Sequence, residues 1–220
     1  MSVKKYLPVI GIVVLAILFV AGVFVIRKIN QPVVEDTQVE DASIPDLPQS
    51  QWPVVALVPS SDGHYLSLKV GGIKVTNASS MDYILEYKAN NGAAETNQGV
   101  PGTVQISGQT NINRDNILLG SESSGKIRFD KGVETGKLTL RFRDGSGKLL
   151  GKVVTDFHLQ NNVTQLTSVD GSFKYTLTKA APAVWFVTMK PFGTPDAKSV
   201  VTYSNGYTIY ASDGLAHMGK

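Results

Sequence analysis

The stretch KLTLRFRDGSGKLLGKVVTDFHL (residues 137–159) predicts two β-strands joined by a tight turn. In its first half, Leu138, Leu140 and Phe142 alternate with basic or hydroxyl side chains, which is the period of a strand with one buried face. The sequence DGSG then combines residue types that favour turns, and 152–159 resumes a strand-like pattern. The stretch therefore places the chain in the β class.

Similar short segments lie on both sides of this pair, separated by Gly, Asn and Asp turns. The further candidate strands are 54–58, 65–70, 73–76, 83–88, 104–107, 116–119, 126–129, 173–178, 184–189, 200–203 and 207–210. The continuous apolar run at 184–189 is typical of a fully buried strand. We predict an antiparallel β-sandwich of immunoglobulin or fibronectin type III architecture over 51–160, and a C-terminal β-rich extension or separate subdomain over 161–220.

Residues 7–26, LPVIGIVVLAILFVAGVFVI, form an uncharged apolar run of twenty residues. A helix of this length crosses about 30 Å of hydrocarbon. A cleaved signal peptide is the alternative, but its apolar region is usually shorter and ends at a small-residue cleavage site. The run ends instead at Arg27 and Lys28. We therefore predict a cytoplasmic stub and a retained, single-pass transmembrane signal anchor within 1–29.

A small difference in charge decides the predicted orientation of this anchor. Lys4 and Lys5 before the run are matched by Arg27 and Lys28 after it, and the free amino terminus adds a positive charge to the leader. Because positive segments stay inside, we predict a cytoplasmic N-terminus and an extracytoplasmic C-terminal domain at the cell membrane. Residues 30–50 contain three prolines and five acids, and we interpret them as a flexible acidic linker.

The overall formal charge of +3 conceals two regions of different sign. Five acids lie in the linker, whereas from Gln49 onward 17 basic residues face 13 acids. The chain has no cysteine, which excludes a disulfide framework and a thiolate metal site. A mildly basic, cysteine-free domain thus follows an acidic tether.

The stretch ILLGSESSGKIRFDKGVETGKLTLRFRDGSGKLLGKVVTDFHLQ (residues 117–160) resembles part of uncharacterised membrane-anchored β-domain proteins of bacteria with small genomes. The resemblance covers about a fifth of the chain and contains no residue of known function. It implies a bacterial cell-envelope setting and implies no activity.

The sequence GSESSGK at 120–126 fits the G-x-x-x-x-G-K pattern of a phosphate-binding loop. Such a loop needs a helix that starts at the lysine, so that backbone N–H groups point at the phosphate. Ile127 and Phe129 instead alternate with Lys126 and Arg128, as they would in a strand. We predict a hairpin turn at this position and no bound nucleotide.

Asn111, Asn113, Asp115 and Glu122 have the spacing of ligands in a twelve-residue calcium loop. The sixth position of this loop lacks the required glycine, and Arg114 lies among the ligand positions. Asparagine is favoured in turns without any metal. We therefore predict an ordinary Asn-rich connection.

The three histidines, His64, His158 and His217, show no metal-ligand spacing. The sequence also lacks a G-x-S-x-G elbow and a convincing carboxylate pair. Without such groups, the sequence offers no residues for acid-base or nucleophilic catalysis. We therefore predict a protein that is not an enzyme, with no catalytic residue, cofactor or metal.

Basic residues concentrate between 126 and 152, where eight of them face three acids. Those that would form an anion-binding stripe on one sheet face are Lys126, Arg128, Lys137, Arg141 and Arg143. Such a stripe would attract an anionic glycopolymer, lipid headgroups or nucleic acid. The alternative, which we favour, is a solvated sheet face whose charges are partly neutralised by acids on adjacent strands.

These patterns together predict a single-pass, membrane-anchored extracytoplasmic protein that serves as a non-catalytic binding or structural component of the cell envelope. Its first partner would be the lipid bilayer, through 7–26, and its second an envelope protein or an anionic polymer. Two alternatives remain open: an assembly subunit of a larger membrane complex, and a polyanion-binding module that uses the basic stripe.

Overall fold

Residues 44–92, 94–193, 202–204 and 206–220 are described by the computed structural model of the protein. The predicted anchor at 7–26, its orientation and most of the linker lie outside these residues. Among the described residues, no helix has the length and apolarity needed to cross a membrane. Apart from one turn of 3-10 helix at Gln49–Gln51, the regular structure of these ranges is entirely β.

The described strands are numbered in chain order. They are β1 Val54–Pro59, β2 Tyr65–Gly71, β3 Ser80–Asn90, β4 Glu95–Gln105, β5 Ile112–Leu118, β6 Gly120–Ser123, β7 Lys126–Phe129, β8 Thr135–Arg143, β9 Leu149–Asn161, β10 Gln165–Thr167, β11 Lys174–Thr176, β12 Trp185–Met189, β13 Thr202–Ser204 and β14 Tyr207–Ala211.

These strands form one large sheet, one small sheet and two hairpins. The large sheet has the order β13-β14-β12-β9-β8-β3-β4, and the small sheet has the order β1-β2-β5. The hairpins are β6-β7 and β10-β11. All of these strand pairs are antiparallel, as the sequence predicts.

The small sheet packs on one face of the large sheet, and the two share the main hydrophobic core. Leu138, Leu140 and Phe142 of β8 have no exposed surface and lie in this core, which confirms the alternation read from the sequence. Leu57 and Leu68 approach from the small sheet and are equally buried. Each such side chain contributes about 1.5–3 kcal/mol of burial free energy, and the arrangement is that of a β-sandwich.

A second hydrophobic core lies on the opposite face of the large sheet, at the β12-β14 end. Phe186 and Ile209 point into it, together with Phe173 and Tyr175 from the β10-β11 hairpin and its turn. Val187 points from the same strand into the main core. Strand β12 is therefore covered on both faces, which explains why all but one of its residues are apolar and confirms the predicted buried strand.

The predicted strand at 73–76 is wrong. Gly72 and Asn77 adopt left-handed backbone conformations, with φ of 63° and 62°, so the chain turns at both ends of this segment. Ile73 and Val75 are nevertheless buried, because the irregular segment lays both side chains against the main core. Alternation here reflects burial of a loop and not the pairing of a strand.

The β6-β7 hairpin projects from the sandwich and is fixed at its base. The Phe129 ring stacks on His64, with 4.0 Å between ring centroids, and meets Tyr65 edge-on. The Asp130 carboxylate accepts a hydrogen bond of 2.9 Å from the phenol of Tyr87. Burial, followed by this carboxylate, raises the pKa of Tyr87 well above its ordinary value.

Both ends of the described chain join the same compact unit, which spans 44–220. Residues 44–50, which the sequence assigns to the linker, pack on the domain: Ile44 and Leu47 are buried, and the Leu47 amide donates a 2.8 Å hydrogen bond to the carbonyl of Lys152. At the other end, strands from 161–220 extend the large sheet beyond β9.

Candidate functional site

An open groove with a volume of about 440 Å³ lies where β12 ends, beside β9 and the start of β14. We call it the β12 groove. This volume falls in the range of about 300–1,000 Å³ that is typical of small-molecule sites. Its lining combines aromatic rings, charged side chains and hydroxyl groups, and each set is held by a different part of the chain.

Trp52 and Phe192 form an aromatic wall of the β12 groove. Their ring centroids are 5.6 Å apart and the rings meet edge to face. The indole N–H of Trp52 donates a 2.8 Å hydrogen bond to the carbonyl of Leu47, which fixes the ring. Phe192 pairs with Val54 through an isolated β-bridge and has a φ of 65°. A left-handed backbone is uncommon for so bulky a residue, and such conformations cluster at ligand sites.

Lys190 and Asp156 supply charges of opposite sign at the rim of the groove. Met189 pairs with Phe157 and with Thr208, and the same register carried one residue further sets Lys190 beside Asp156. The Lys190 ammonium lies 4.8 Å from the centroid of the Tyr207 ring, in cation–π geometry. Within the described part of the chain neither charged group forms an ion pair, so both are available to a ligand.

Asp170 fixes the turn between β10 and β11 against the groove. Its carboxylate accepts hydrogen bonds from the hydroxyls of Ser168 (2.5 Å), Ser172 (2.8 Å) and Tyr207 (2.8 Å). These bonds, led by that of Ser168, hold the pKa of Asp170 well below its usual range. The turn is thereby locked in place with its carboxylate ionised.

Thr188 places a buried hydroxyl at the floor of the groove. Its side chain is 1% exposed, and its Oγ1 has no hydrogen-bond partner among the described residues. A buried hydroxyl without a partner costs about 1–3 kcal/mol. Because the Oγ1 atom itself is buried, this hydroxyl is out of reach of a ligand in the groove.

The predicted basic stripe is divided between two separate sheets. Lys126 and Arg128 lie on the β6-β7 hairpin, whereas Lys137, Arg141 and Arg143 lie on β8 of the large sheet. The expectation that all five share one sheet face is therefore wrong. The physical reason is that β7 pairs with β6 through the turn between them and has no ladder with β8.

The three basic residues of β8 also differ in exposure and in partners. Arg141 is buried, with 7% of its surface exposed. Arg143 donates a 2.5 Å charge-assisted hydrogen bond to the carboxylate of Asp82. Lys137 is exposed, and its cross-strand neighbours are the acids Glu86 and Asp156. Acids on adjacent strands thus lie beside the basic residues of β8. This is the arrangement of the favoured alternative, a solvated face whose charges are partly neutralised.

The two other patterns singled out in the sequence have structural explanations. The GSESSGK segment forms the β6-β7 hairpin, so the predicted hairpin turn is confirmed. Three of the calcium-loop positions, Asn113, Asp115 and Glu122, are exposed on β5 and β6. The described residues contain no group of three or more acids or histidines placed to hold a metal ion.

The residues of the β12 groove were not identified as a site from the sequence. Trp52, Asp156, Asp170 and Lys190 come from distant segments, and the fold alone brings them together. One signal was present: Thr188 interrupts the otherwise apolar run of β12 with a hydroxyl. That single polar residue does not by itself identify the groove.

Comparison with known proteins adds no identity to this geometry. No protein-family model, curated protein or solved structure gives a significant match to the chain.

Proposed function

We propose that this protein is a single-pass, membrane-anchored, extracytoplasmic binding protein of the cell envelope, and that its ligand occupies the β12 groove. The observation that carries the proposal is the groove itself. It joins a fixed aromatic wall and the charged groups of Asp156 and Lys190. Apolar walls with a few convergent polar groups are the usual composition of a binding site.

The order of the strands supports an immunoglobulin or fibronectin type III-like sandwich as the scaffold. Sheet β1-β2-β5 corresponds to strands A, B and E of that architecture, and β4-β3-β8-β9 corresponds to C′, C, F and G. Strands β12, β14 and β13 are then an addition to the G-strand side of the sandwich. The β12 groove lies on this addition, where a binding site is carried by structure outside the common scaffold.

The chemistry of the groove supports binding in preference to turnover. The Asp170 carboxylate is occupied by three hydroxyl donors, and the Lys190 ammonium lies against an aromatic ring. The hydroxyls of Ser168 and Ser172 are used to fix the turn around Asp170, and no histidine among the described residues lines the groove to act as their general base. The groove therefore acts by holding a ligand in place.

The apolar run at 7–26 supports the location of the domain outside the cytoplasm. A reporter that is active only outside the cytoplasm, fused after Lys220, tests this orientation in bacterial cells. Activity from the full chain, and its loss when Lys4 and Lys5 are changed to Glu, is the expected result. A reporter that is active only inside the cytoplasm would contradict the proposed location.

Binding is tested with the full chain in nanodiscs, incubated with solubilised bacterial envelope material. We expect the wild type to retain a component that the double variant Asp156→Ala/Lys190→Ala releases. The matched control is Lys69→Ala, an exposed lysine of β2 outside the groove. Equal retention by all three proteins would place the interaction elsewhere and overturn the assignment of the groove.

A polyanion-binding module is the second candidate, now restricted to Lys126, Arg128 and Lys137, which are exposed. Retention of envelope polymer that falls steeply with salt, and that is lost in the triple Ser variant of these residues, would favour this function. Retention that is indifferent to salt and to this variant leaves the β12 groove as the binding site.

A further inference from the structure

We infer that the outer edge of β4 pairs with the same edge of a second copy of this chain, in an antiparallel register centred on Asn97. β4 and β13 are the two end strands of the large sheet. The inference does not depend on the β12 groove. It follows from the direction of the backbone groups of β4, from the position of its proline and from the charges of its side chains.

An end strand presents a row of backbone N–H and C=O groups that no neighbouring strand pairs. β4 has eleven residues, and among the described strands only β3 pairs with it. The amide of Ile106, the residue after β4, donates a 2.8 Å hydrogen bond to the carbonyl of Ser79, the residue before β3. Because bonded and unbonded positions alternate in an antiparallel pair, this bond fixes the direction of the backbone groups throughout β4. The groups that point away from β3 belong to residues 95, 97, 99, 101, 103 and 105.

Pro101 occupies one of these outward positions. Its missing N–H therefore removes no hydrogen bond to Ile84, its partner on β3. It removes a donor from the outer edge, and such prolines are a common protection against strand addition. The protection is local, and it leaves the segment 95–99 with all of its outward N–H groups.

The segment 95–99 also lacks the other common protections of an edge strand. No register shift interrupts its ladder with β3, and it contains no lysine. Its one charged residue, Glu95, forms an ion pair of 2.7 Å with Lys88 of β3. The backbone of this segment is therefore open to an added strand.

A second copy of the same segment fits this edge. The longest antiparallel register of two β4 edges that leaves Pro101 unpaired sets Asn97 opposite Asn97 and Glu95 opposite Gly99. An amide side chain both donates and accepts hydrogen bonds, so the two copies of Asn97 can bond to each other. Glu95 meets a residue without a side chain, so no like charges face each other. A two-fold contact requires a surface that complements itself, and 95–99 meets this requirement.

The experiment uses the full chain in cell membranes and exploits the absence of cysteine from its sequence. In the proposed register the Cα atoms of the two Asn97 residues lie about 5.5 Å apart, which a disulfide can span. Asn97→Cys should therefore give a covalent dimer after mild oxidation. Gln105→Cys is the matched control, because Gln105 is exposed at the same edge but would lie roughly 50 Å from its counterpart.

A second pair of variants tests the backbone contact in the Asn97→Cys background. Gly99→Pro removes an outward N–H and keeps the bonds to β3, as Pro101 does in the natural chain. The yield of dimer should fall about tenfold, because each copy loses one hydrogen bond of the contact. Gly99→Ala keeps the N–H, and its Cβ would meet nothing within 4 Å, so the yield should not change.

The absence of a dimer from Asn97→Cys, or equal dimer from Asn97→Cys and Gln105→Cys, would overturn the inference. Equal yields from Gly99→Pro and Gly99→Ala would do the same. The two thiol positions decide the register even if circular dichroism shows that the proline variant folds poorly. Asn97 and Gly99 do not line the β12 groove, so a negative result here leaves the proposed binding function intact.

Discussion

The phenol of Tyr207 donates a 2.8 Å hydrogen bond to the carboxylate of Asp170, a residue 37 positions earlier in the chain. This bond joins the first residue of β14 to the turn of the β10-β11 hairpin. It holds the turn beside the groove and places the Tyr207 ring where Lys190 rests on it. The shape of the groove thus depends on a carboxylate that remains ionised.

The first prediction concerns acid. Because its hydrogen bonds, that of Ser168 foremost, lower the pKa of Asp170 in the folded chain, the unfolded chain binds more protons at low pH. The stabilisation is complete above the ordinary pKa of 3.8 and is lost as the pH falls toward the lower folded value. In urea titrations at a series of pH values, Asp170→Asn should be less stable than the wild type near neutrality and should lose less stability on acidification. Parallel losses in the two proteins would contradict this role.

Gly63 is the subject of the second prediction. Its φ is +72°, and a Cβ at this position would lie 2.4 Å from the Trp185 ring. Gly63→Ala should therefore lower the free energy of unfolding by about 2–4 kcal/mol, through backbone strain and overpacking together. Gly72 is the matched control, with a φ of +63° and open space around it, so Gly72→Ala should cost only about 1–2 kcal/mol. Equal losses in urea unfolding would show that contact with Trp185 has no effect.

The third prediction compares two glycines within strands. A Cβ on Gly136 of β8 would lie 2.4 Å from the Glu86 carbonyl oxygen and from the Phe157 ring, whereas one on Gly99 of β4 would meet nothing within 4 Å. We expect Gly136→Ala to destabilise the fold by about 1–3 kcal/mol. Gly99→Ala should be neutral or should stabilise it by up to about 1 kcal/mol, because alanine restricts the unfolded chain. Thermal unfolding followed by circular dichroism ranks the two variants, and the reverse order would contradict the packing.

The fourth prediction separates the basic residues of β8. Arg141 is 7% exposed and Lys137 is exposed, although the sequence pattern treats them alike. Arg141→Ala should lower the free energy of unfolding by about 1–3 kcal/mol, since a long buried side chain loses its packing. Lys137→Ala should change it by less than about 0.5 kcal/mol. If urea unfolding showed the same small change in free energy for both variants, Arg141 would behave as an exposed surface charge.

Local patterns in the sequence predict the strands of the scaffold well. β8 and β9 carry clean alternation on one face, and β7 is predicted with the bounds that the structure gives it. β4 is largely missed because it is an edge strand that contains Gly99, Pro101 and Gly102, residues that a central strand excludes. β6 and β10 are too short for a period to show.

Pairing between distant strands is what sequence patterns leave open. The expected basic stripe requires β7 and β8 to lie in one sheet, and nothing local distinguishes that arrangement from the hairpin with β6. The β12 groove is invisible for the same reason, because its charged residues become neighbours only through the register of β9, β12 and β14. Thr188, which also lines the groove, is distinguished in the sequence only as the single polar residue of an apolar run.

The addition of β12 to β9 has a consequence for the edge of the sandwich sheet. β9 spans 13 residues, and without β12 one side of its backbone would be an open template for any second chain. The C-terminal strands therefore act as a built-in cap on the sandwich. A protease cut after Asn161 would remove that cap and expose the β9 edge to pairing with a second chain.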